Sequence, residues 1–351
     1  MTEPIRVRRP APDSGGAATA PADAGPANVS AAKLWLASIG LGALELEPLV
    51  GDVSSRSYFR ARTRGAGPTL VLARYPKELG AAQRRFRGAA ELLAEAGVRV
   101  PRLVADDPDA GFALIEDLGP RTLYELGRGW NELARELDAA LAAGAAIAAL
   151  DPARVEALGC ESLGEPLLRR ELEQTIEWFL SPRGLATPEL LAAMDELCAR
   201  LASSPLAPCH RDFMARNLIP IEPDGVAVID FQDLRLGPPG YDLASLLNDS
   251  LFAEPALERR VIDARADAIG GWPSYRRAVA QRSLKAVGTY VKFASTGRTR
   301  HLRLVPATLG RALDAMAELP ESAGTIARLR GALEAAAAAI AAGTAGPRAG
   351  C

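Results

Sequence analysis

Two short apolar runs separated by a turn constrain the fold of this chain more than any other feature, because polar residues bracket them on both sides. The runs span 218–221 and 226–229, and the turn 222–225 reads Glu-Pro-Asp-Gly. Apolar runs on either side of a turn that contains proline and glycine predict two antiparallel strands. Such a hairpin brings Asn217, just before the first strand, close to Asp230, just after the second. The sequence therefore predicts an amide oxygen and a carboxylate side by side.

The segment before the hairpin contains an aspartate within a motif typical of kinases. Residues 209–219 read CHRDFMARNLI, which fits H-R-D-x-x-x-x-N, the pattern of kinase catalytic loops. Phosphoryl transfer depends mostly on positioning and charge neutralisation. Asp212 suits the carboxylate that orients and deprotonates the attacking hydroxyl, and Asn217 and Asp230 suit Mg²⁺, which prefers oxygen ligands. The tripeptide could instead be a surface turn, and His210 a core histidine bonded to backbone, but the strand-turn-strand context favours a catalytic loop.

Together with other segments, this stretch resembles the aminoglycoside-phosphotransferase-type kinases, relatives of protein kinases that phosphorylate small molecules. Within that superfamily it is similar to the bacterial anomeric N-acetylmuramate/N-acetylglucosamine kinases of cell-wall recycling. The resemblance covers roughly residues 32–320. It rests on HRDFMARNL, VIDFQDLRLGPPGYDLASLL, GDVSSRSYFR, VRVPRL followed by GFALIEDLG, and LLRRELEQTIEWFL.

The resemblance implies an α+β, protein-kinase-like fold with two lobes. A small antiparallel β lobe with one helix is expected over 30–118, and a larger helical lobe over 119–342, with ATP and Mg²⁺ in the cleft between them. The expected reaction is ATP-dependent phosphorylation of the anomeric hydroxyl of an N-acetylated amino sugar, which gives the sugar 1-phosphate.

The nucleotide contacts are less well defined, because the chain departs from the kinase pattern. Kinases carry a phosphate-binding lysine on the third strand, whereas this chain has Leu-Ala-Arg at 72–74 and no lysine from there until Lys77. Arg60 or Arg74 could replace it, or both could be solvated strand residues, and the sequence does not decide. Glu91 is a candidate partner for that cation, or simply an exposed helix acid. The candidate nucleotide contacts are Ser54, Ser55 and Arg56 in a loop over the phosphates, Arg60, Arg74, and the hinge residues Glu116 and Leu118.

Residues near the two acids are candidates for contacts with the substrate. They are Arg211, Arg216, Gln232 and Asp233, with Arg235 close by. The resemblance implies that Asp242 supports the catalytic loop through hydrogen bonds to backbone or to His210. The remaining candidates have open interpretations: Trp178 and Phe179 line a sugar pocket or belong to the core, Tyr290 and Lys292 face the cleft, and His301 lies in a surface turn.

Periodicity and turn residues predict the remaining elements. Strands are expected at 44–50, where Pro48 indicates an edge strand or an irregular one, and at 57–61, 69–74, 98–104 and 111–116. A short helix capped by Ser30 is expected over 30–39. Further helices are expected over 80–96, 130–150, 165–180, 188–202 and from Tyr241 to about 342.

Composition excludes several other classes. The net charge of −2 argues against a general nucleic-acid binder. The four cysteines show no C-x-x-C spacing, which indicates reduced thiols in a cytoplasmic protein. No strongly apolar run reaches the roughly 18 residues that a membrane span requires. Residues 1–29 read as a disordered leader and 343–351 as a loose tail, and a monomer is expected.

Three alternatives remain open at this point. The acceptor could be another small hydroxyl compound, such as an aminoglycoside, choline or homoserine. A protein kinase is disfavoured, because the chain lacks an A-P-E motif and has no room for an activation segment after Asp230. A nucleotide-binding pseudokinase would explain the missing lysine, but it would have no chemical need for Asp212, Asn217 and Asp230 together.

Overall fold

The computed structural model describes residues 26–49, 56–63, 69–223 and 225–343, and these form two compact units. Of the described residues, the first unit contains those up to Gly80 and 104–117, and the second contains 81–103 and 118–343. None of the helices in these ranges is long and apolar enough to cross a membrane. The predicted leader as far as residue 25, the loop 51–55, the turn at 65–68 and the tail beyond Gly343 lie outside the described residues.

The first unit is a sheet with one helix. The helix is α1 (Pro26–Ser38), and the strands are β1 (Glu45–Leu49), β2 (Ser57–Arg62), β3 (Leu70–Arg74), β4 (Leu103–Asp107) and β5 (Phe112–Glu116). The strand order is β1-β2-β3-β5-β4, and the pairs that join β1, β2, β3 and β5 are antiparallel. Pro48 lies in the edge strand β1, as predicted, where its missing N–H removes no bond from the interior of the sheet.

The core of the first unit forms on one face of this sheet. Phe59 pairs with Leu72, and Leu72 pairs with Leu114, so the three side chains share a face, and all are fully buried. Helix α1 covers them with Trp35, whose ring stacks on Phe112 at a centroid distance of 5.3 Å. Because every second side chain of a strand lies on the same face, these residues form one apolar layer.

Two of the predicted boundaries in this region are wrong. Helix α1 begins at Pro26 and not at Ser30, consistent with the preference of proline for the first helical position. The strand expected at 98–104 begins only at Leu103 and runs on to Asp107. The carbonyl of Arg99 instead accepts a hydrogen bond from Val228 N, so this segment pairs with the second unit's hairpin.

The second unit is mostly helical. Its helices are α2 (Gly80–Glu95), α3 (Ala134–Ala148), α4 (Pro152–Glu156), α5 (Glu165–Thr175), α6 (Pro188–Leu201), α7 (Tyr241–Asn248), α8 (Pro255–Asp263), α9 (Ala266–Ile269), α10 (Gly271–Ala294), α11 (Val305–Ala317) and α12 (Ala323–Ala341). Two antiparallel pairs join β6 (Ala207–Cys209) to β9 (Arg235–Gly237), and β7 (Leu218–Ile221) to β8 (Gly225–Val228). The predicted hairpin is therefore confirmed, while α3 is shorter than the predicted 130–150.

The 24-residue helix α10 lies at the centre of this unit and is buried along most of its length. Thr175 at the end of α5 donates a hydrogen bond to the carbonyl of Leu284 (2.6 Å). Gln281 donates to the carbonyl of Leu168 on α5 and accepts from the hydroxyl of Tyr241 on α7. Helix α10 therefore holds together α5 and α7, the two helices that flank the candidate catalytic loop.

Candidate active site

The loop that follows β6 is held by one carboxylate. Asp242, in the first turn of α7, accepts hydrogen bonds from the backbone N–H of His210 (2.7 Å) and of Arg211 (2.9 Å). Arg211 has φ = 75°, a left-handed conformation that is uncommon for a non-glycine residue, and these bonds help to hold it there. The fully buried ring of His210 has Nε2 3.0 Å from the carbonyl oxygen of Ile229, which ties the loop to the chain just after β8.

Asp212 lies among cations from two distant parts of the chain. Its Oδ1 is 3.1 Å from Arg282 Nη2 and 3.4 Å from Lys285 Nζ, both on α10. Its Oδ2 is 3.6 Å from Arg211 Nη1. Burial by itself would raise the pKa of this carboxyl, but Lys285, Arg211 and Arg282 outweigh burial and hold the pKa of Asp212 well below its usual range. The side chain is therefore ionised at neutral pH, and a quarter of it remains exposed to solvent (25%).

Glu171 on α5 completes this group of charges. Its Oε1 accepts hydrogen bonds from Arg211 Nε (3.0 Å) and Nη2 (2.6 Å) and lies 3.3 Å from Lys285 Nζ. Burial would raise the pKa of Glu171, but Lys285 and Arg211 lower it. Within the described residues its Oε2 is buried without a hydrogen-bond partner. We refer to Glu171, Arg211, Asp212, Arg282 and Lys285 as the charged cluster.

Sequence reasoning missed three members of this cluster, namely Glu171, Arg282 and Lys285. Glu171 lies within LLRRELEQTIEWFL, one of the segments that carry the resemblance, but no motif marks it. Arg282 and Lys285 lie three residues apart on a helix that is buried at every position from 278 to 288. Charged residues are rarely buried unless they are paired, and with the polar Gln281 and Ser283 on either side of Arg282 no signal in the sequence indicates that these two charges are buried.

Asn217 and Asp230 lie next to each other at the open end of the β7–β8 hairpin. Leu218 pairs with Val228, and one step further Ile229 N donates to the carbonyl of Asn217 (3.0 Å). Asn217 Nδ2 donates to the backbone carbonyl of Asp212 (2.8 Å), so the amide oxygen remains for another ligand. An amide and a carboxylate oxygen fit Mg²⁺, which completes its shell with phosphates and water.

The residues after Asp230 form a hydrogen bond to Asp230 and ion pairs with Arg211 and Arg235. Gln232 Nε2 donates to Asp230 Oδ1 (3.0 Å), while Gln232 Oε1 is buried with no partner among the described residues. Asp233 bridges Arg211 (3.3 Å) and Arg235 (3.1 Å). Asp233 is about one-third exposed (34%), more than Arg211 (20%) and Arg235 (9%), so it is the most open member of this ion-pair group.

Arg216 lies in a separate aromatic environment. Its guanidinium is over the ring of Tyr124 (4.7 Å to the centroid) and near that of Tyr290 (6.0 Å), and Nη1 is 3.2 Å from His301 Nδ1. The prediction that His301 is a surface residue is wrong, because its side chain is buried and stacks on Tyr290 at 5.3 Å. Lys292 is exposed.

The two candidate sugar-binding aromatics have different environments. Phe179 is fully buried, with the Arg183 guanidinium 5.5 Å from its centroid, which agrees with the core interpretation. Trp178 is half-buried in the π-helical turn Ile176–Leu180 that follows α5. The apolar side of this turn therefore packs in the core.

The predicted nucleotide contacts lie mostly in the first unit, and Ser54 and Ser55 fall outside the described residues. Arg60 Nε is 2.6 Å from Asp117 Oδ2, so its charge is already paired within the unit. The Arg56 guanidinium lies over the rings of Tyr58 and Tyr75, at 5.7 and 5.8 Å.

Three further residues complete this set. Arg74 ends β3, Glu116 ends β5, and Leu118 is the first residue of the second unit's main segment. Glu91 lies on the exposed surface of α2, 3.6 Å from Arg87. An exposed pair of this kind agrees with the interpretation of Glu91 as a surface helix acid.

Comparison with known proteins decides the family. A model described as the phosphotransferase enzyme family (APH) matches residues 45–278, more than half of the 351-residue chain. The chain belongs to this family. It is 35% identical over 301 residues to an N-acetylmuramate/N-acetylglucosamine kinase from Pseudomonas aeruginosa, with 80% of this chain and 86% of that protein covered. A protein of the same name from Pseudomonas putida is 31% identical over 309 residues, with the same coverage.

Solved structures of other phosphotransferases share the fold. A thermostable mutant of aminoglycoside phosphotransferase APH(4)-Ia superposes with a TM-score of 0.57 at 17% identity, covering 81% of this chain and 97% of that one. Choline kinase LicA from Streptococcus pneumoniae gives 0.58 at 18% identity, covering 81% and 96%. The predicted α+β, kinase-like fold is thus confirmed, and this phosphotransferase is a small-molecule kinase that acts on hydroxyl acceptors.

Proposed function

We propose that this phosphotransferase is an ATP- and Mg²⁺-dependent kinase of the anomeric hydroxyl of N-acetylmuramate and N-acetylglucosamine. Its products would be the sugar 1-phosphates, and its role the cytoplasmic recycling of peptidoglycan sugars. The observation that carries the proposal is the ionised Asp212 among three cations, in a chain whose relatives bear that name. The related APH(4)-Ia has been solved in a ternary complex with ADP and hygromycin B.

The environment of Asp212 favours an acidic acceptor. Asp212 would orient the acceptor hydroxyl and take its proton as the oxygen attacks phosphorus. Because Lys285, Arg211 and Arg282 lower its pKa, Asp212 is a weak base. An anomeric hydroxyl is more acidic than an ordinary alcohol, so a weak but well-oriented base suffices for it.

The other residues would manage charge. Mg·ATP supplies the phosphoryl group, and Asn217 and Asp230 would hold the metal through their side-chain oxygens. Lys285 and Arg282 lie next to Asp212, where the acceptor oxygen would gain negative charge as it loses its proton. The two cations would stabilise that charge as the phosphoryl group is transferred. Two cations from α10 would thus perform part of the neutralisation that kinases usually assign to the strand lysine.

The proposal is tested by ATP consumption with Mg²⁺ and a panel of N-acetylmuramate, N-acetylglucosamine, glucosamine, kanamycin and choline. The product is examined by ³¹P NMR for coupling to the anomeric proton. Turnover of the two N-acetylated sugars with a 1-phosphate product is expected. Turnover of kanamycin or choline alone would retain the catalytic loop and overturn the substrate. Silence across the panel with intact nucleotide binding would point to a pseudokinase or another acceptor.

A further inference from the structure

Arg216 carries hydrogen-bond donors that nothing in the described part of the chain satisfies. Its Nε and Nη2 are both buried and without a hydrogen-bond partner, while Nη1 faces His301 Nδ1 at 3.2 Å. A buried donor left unsatisfied is costly, and the cost is larger when the group is charged. Such an arrangement is retained most readily where a ligand supplies the missing acceptor.

The two unsatisfied atoms define the chemistry of that ligand. Nε and Nη2 form one edge of the guanidinium, and their N–H bonds are parallel. A carboxylate accepts from this edge with both of its oxygens, which makes the pair bidentate and charge-assisted. A neutral hydroxyl or amide group cannot match both donors in this way.

The surroundings of Arg216 add positive charge and planar surfaces. Arg300 Nε is 3.2 Å from His301 Nε2, so both ring nitrogens of His301 face guanidinium groups. A neutral imidazole accepts a hydrogen bond at only one nitrogen. Burial, Arg216 and Arg300 lower the pKa of His301 to about 4, so the ring is neutral at pH 7 and offers no negative charge. Arg303 Nη2 lies 3.5 Å from the hydroxyl of Tyr124, whose ring packs against Arg216.

Arg216 is close enough to Asp212 for one substrate to reach both. The two residues lie four positions apart in the same loop, and Asn217, next to Arg216, donates to the backbone carbonyl of Asp212. Helix α10 contacts both, through Lys285 at Asp212 and through Tyr290 at Arg216. Five residues along a helix separate these positions by about 8 Å, a distance suited to a sugar ring with a short acidic arm.

We propose that Arg216, between Tyr124 and Tyr290, binds the lactyl carboxylate of N-acetylmuramate and sets the preference for this sugar over N-acetylglucosamine. This inference rests on the proposed function. Since Nε and Nη2 are shielded from solvent, a covering side chain must move when the ligand enters. The flanking turns Tyr124–Leu126 and Leu302–Leu304 contain no buried residue, so little packing opposes that movement.

The test is a double cycle. Substitution removes the charge of Arg216 from the enzyme, and a methyl ester removes the charge of the carboxylate from the substrate. Wild-type protein, Arg216→Gln and Arg216→Lys are assayed for kcat/KM with N-acetylmuramate, its methyl ester and N-acetylglucosamine. The wild type is expected to prefer the acid over the ester by about 10- to 100-fold, the range for charge-assisted hydrogen bonds. In Arg216→Gln this ratio should fall to about 1, and Arg216→Lys, which keeps the charge without the fork, should give an intermediate ratio.

The controls separate this inference from the function on which it rests. Arg328→Gln, at an exposed position of α12, should keep the wild-type ratio. The ratio is also measurable on the wild type alone, so misfolding of a variant cannot hide the answer. Equal turnover of acid and ester by the wild type, or an unchanged ratio in Arg216→Gln, would overturn the carboxylate site while leaving the sugar kinase intact. Turnover of neither sugar would overturn the proposed function and the assigned ligand together.

Discussion

At the scale of single residues, the charges around Asp212 decide what its carboxylate can do. Lys285, Arg211 and Arg282 keep it ionised, so protonation of Asp212 would not limit the proposed reaction in mildly acidic solution. The same charges weaken it as a base, so in the proposed reaction its contribution would come mainly from orienting the acceptor. The backbone N–H groups of His210 and Arg211, which donate to Asp242, and the bond from Asn217 to the Asp212 carbonyl hold the loop rigid.

Asp212→Asn should lower kcat by about 10²- to 10⁴-fold, the usual contribution of a general base. The amide keeps the shape of the side chain but neither accepts the proton nor balances the cations. Binding of Mg·ATP, followed by displacement of a fluorescent nucleotide, should remain close to that of the wild type. Asp314→Asn, at an exposed position of α11, is the control and should keep full activity. Near wild-type turnover by Asp212→Asn would show that Asp212 is not the base.

Lys285→Arg should move the alkaline limb of the pH–rate profile to higher pH. Burial lowers the pKa of Lys285 from the ordinary 10.5, although Asp212 opposes this effect. The ammonium form is therefore lost at a lower pH than for an exposed lysine, and activity falls with it as pH rises. Arginine stays protonated through this range. Lys292→Arg, on the exposed end of the same helix, is the control and should leave the alkaline limb at its wild-type pH. An alkaline limb that did not move in Lys285→Arg would show that the charge of Lys285 does not take part in the reaction.

At the scale of elements, the close contact of α5 with α10 brings Glu171 to Lys285. The contact is possible because residue 288 of α10 has no side chain. A Cβ at Gly288 would lie 2.4 Å from Thr175 Oγ1 and 2.5 Å from Thr175 N, closer than real side chains approach. The spacing of these helices, and hence the position of two members of the charged cluster, depends on this glycine.

Gly288→Ala should destabilise the protein by about 1–3 kcal/mol, the range for overpacking a well-packed core, and should also reduce kcat by shifting Lys285. Gly331→Ala is the matched control, since it lies in the helix α12 with no heavy atom within 4 Å of the added Cβ. There alanine should stabilise the helix by about 0.5–1 kcal/mol. Denaturant unfolding gives the free energy of unfolding of both variants. If Gly288→Ala were as stable as the wild type, α5 and α10 could move apart without loss of stability.

At the scale of the whole molecule, the charged cluster couples stability to pH. Lys285 and Arg211 lower the pKa of Glu171 below the ordinary 4.5 against the effect of burial. A carboxyl whose pKa is lower in the folded state contributes stability above its unfolded pKa, and this contribution is lost as pH falls through the folded pKa. The second unit should therefore lose stability in acid.

The free energy of unfolding should decline as pH falls below about 4.5, and the decline should be shallower in Glu171→Gln. At pH 7 this variant should be less stable by about 3 kcal/mol, because it leaves buried cations without a partner. Glu173→Gln, exposed on the same helix, should follow the wild type at every pH. Chemical denaturation over pH 3–7 provides the measurement, and parallel curves for wild type and Glu171→Gln would contradict the coupling.

Local sequence was sufficient for the elements whose structure depends on neighbouring residues. The hairpin at β7 and β8 and helices α2, α5 and α6 follow from periodicity and turn residues within a short segment. The H-R-D-x-x-x-x-N pattern and the acid after the hairpin are enough to predict that Asn217 and Asp230 lie together. These features are local because one strand, turn or helix determines each of them.

Tertiary structure alone decided the features that join distant segments. Residues 98–102 left the predicted strand because Arg99 bonds to Val228, 129 residues away in sequence. His301 is buried because Tyr290 and Arg216 enclose it, and its own turn carries no apolar pattern. Glu171, Arg282 and Lys285 reach Asp212 only through the packing of α5 against α10. The sequence by itself determined the kind of chemistry, while long-range packing determined the charges that surround it, since electrostatic contacts depend on distance in space.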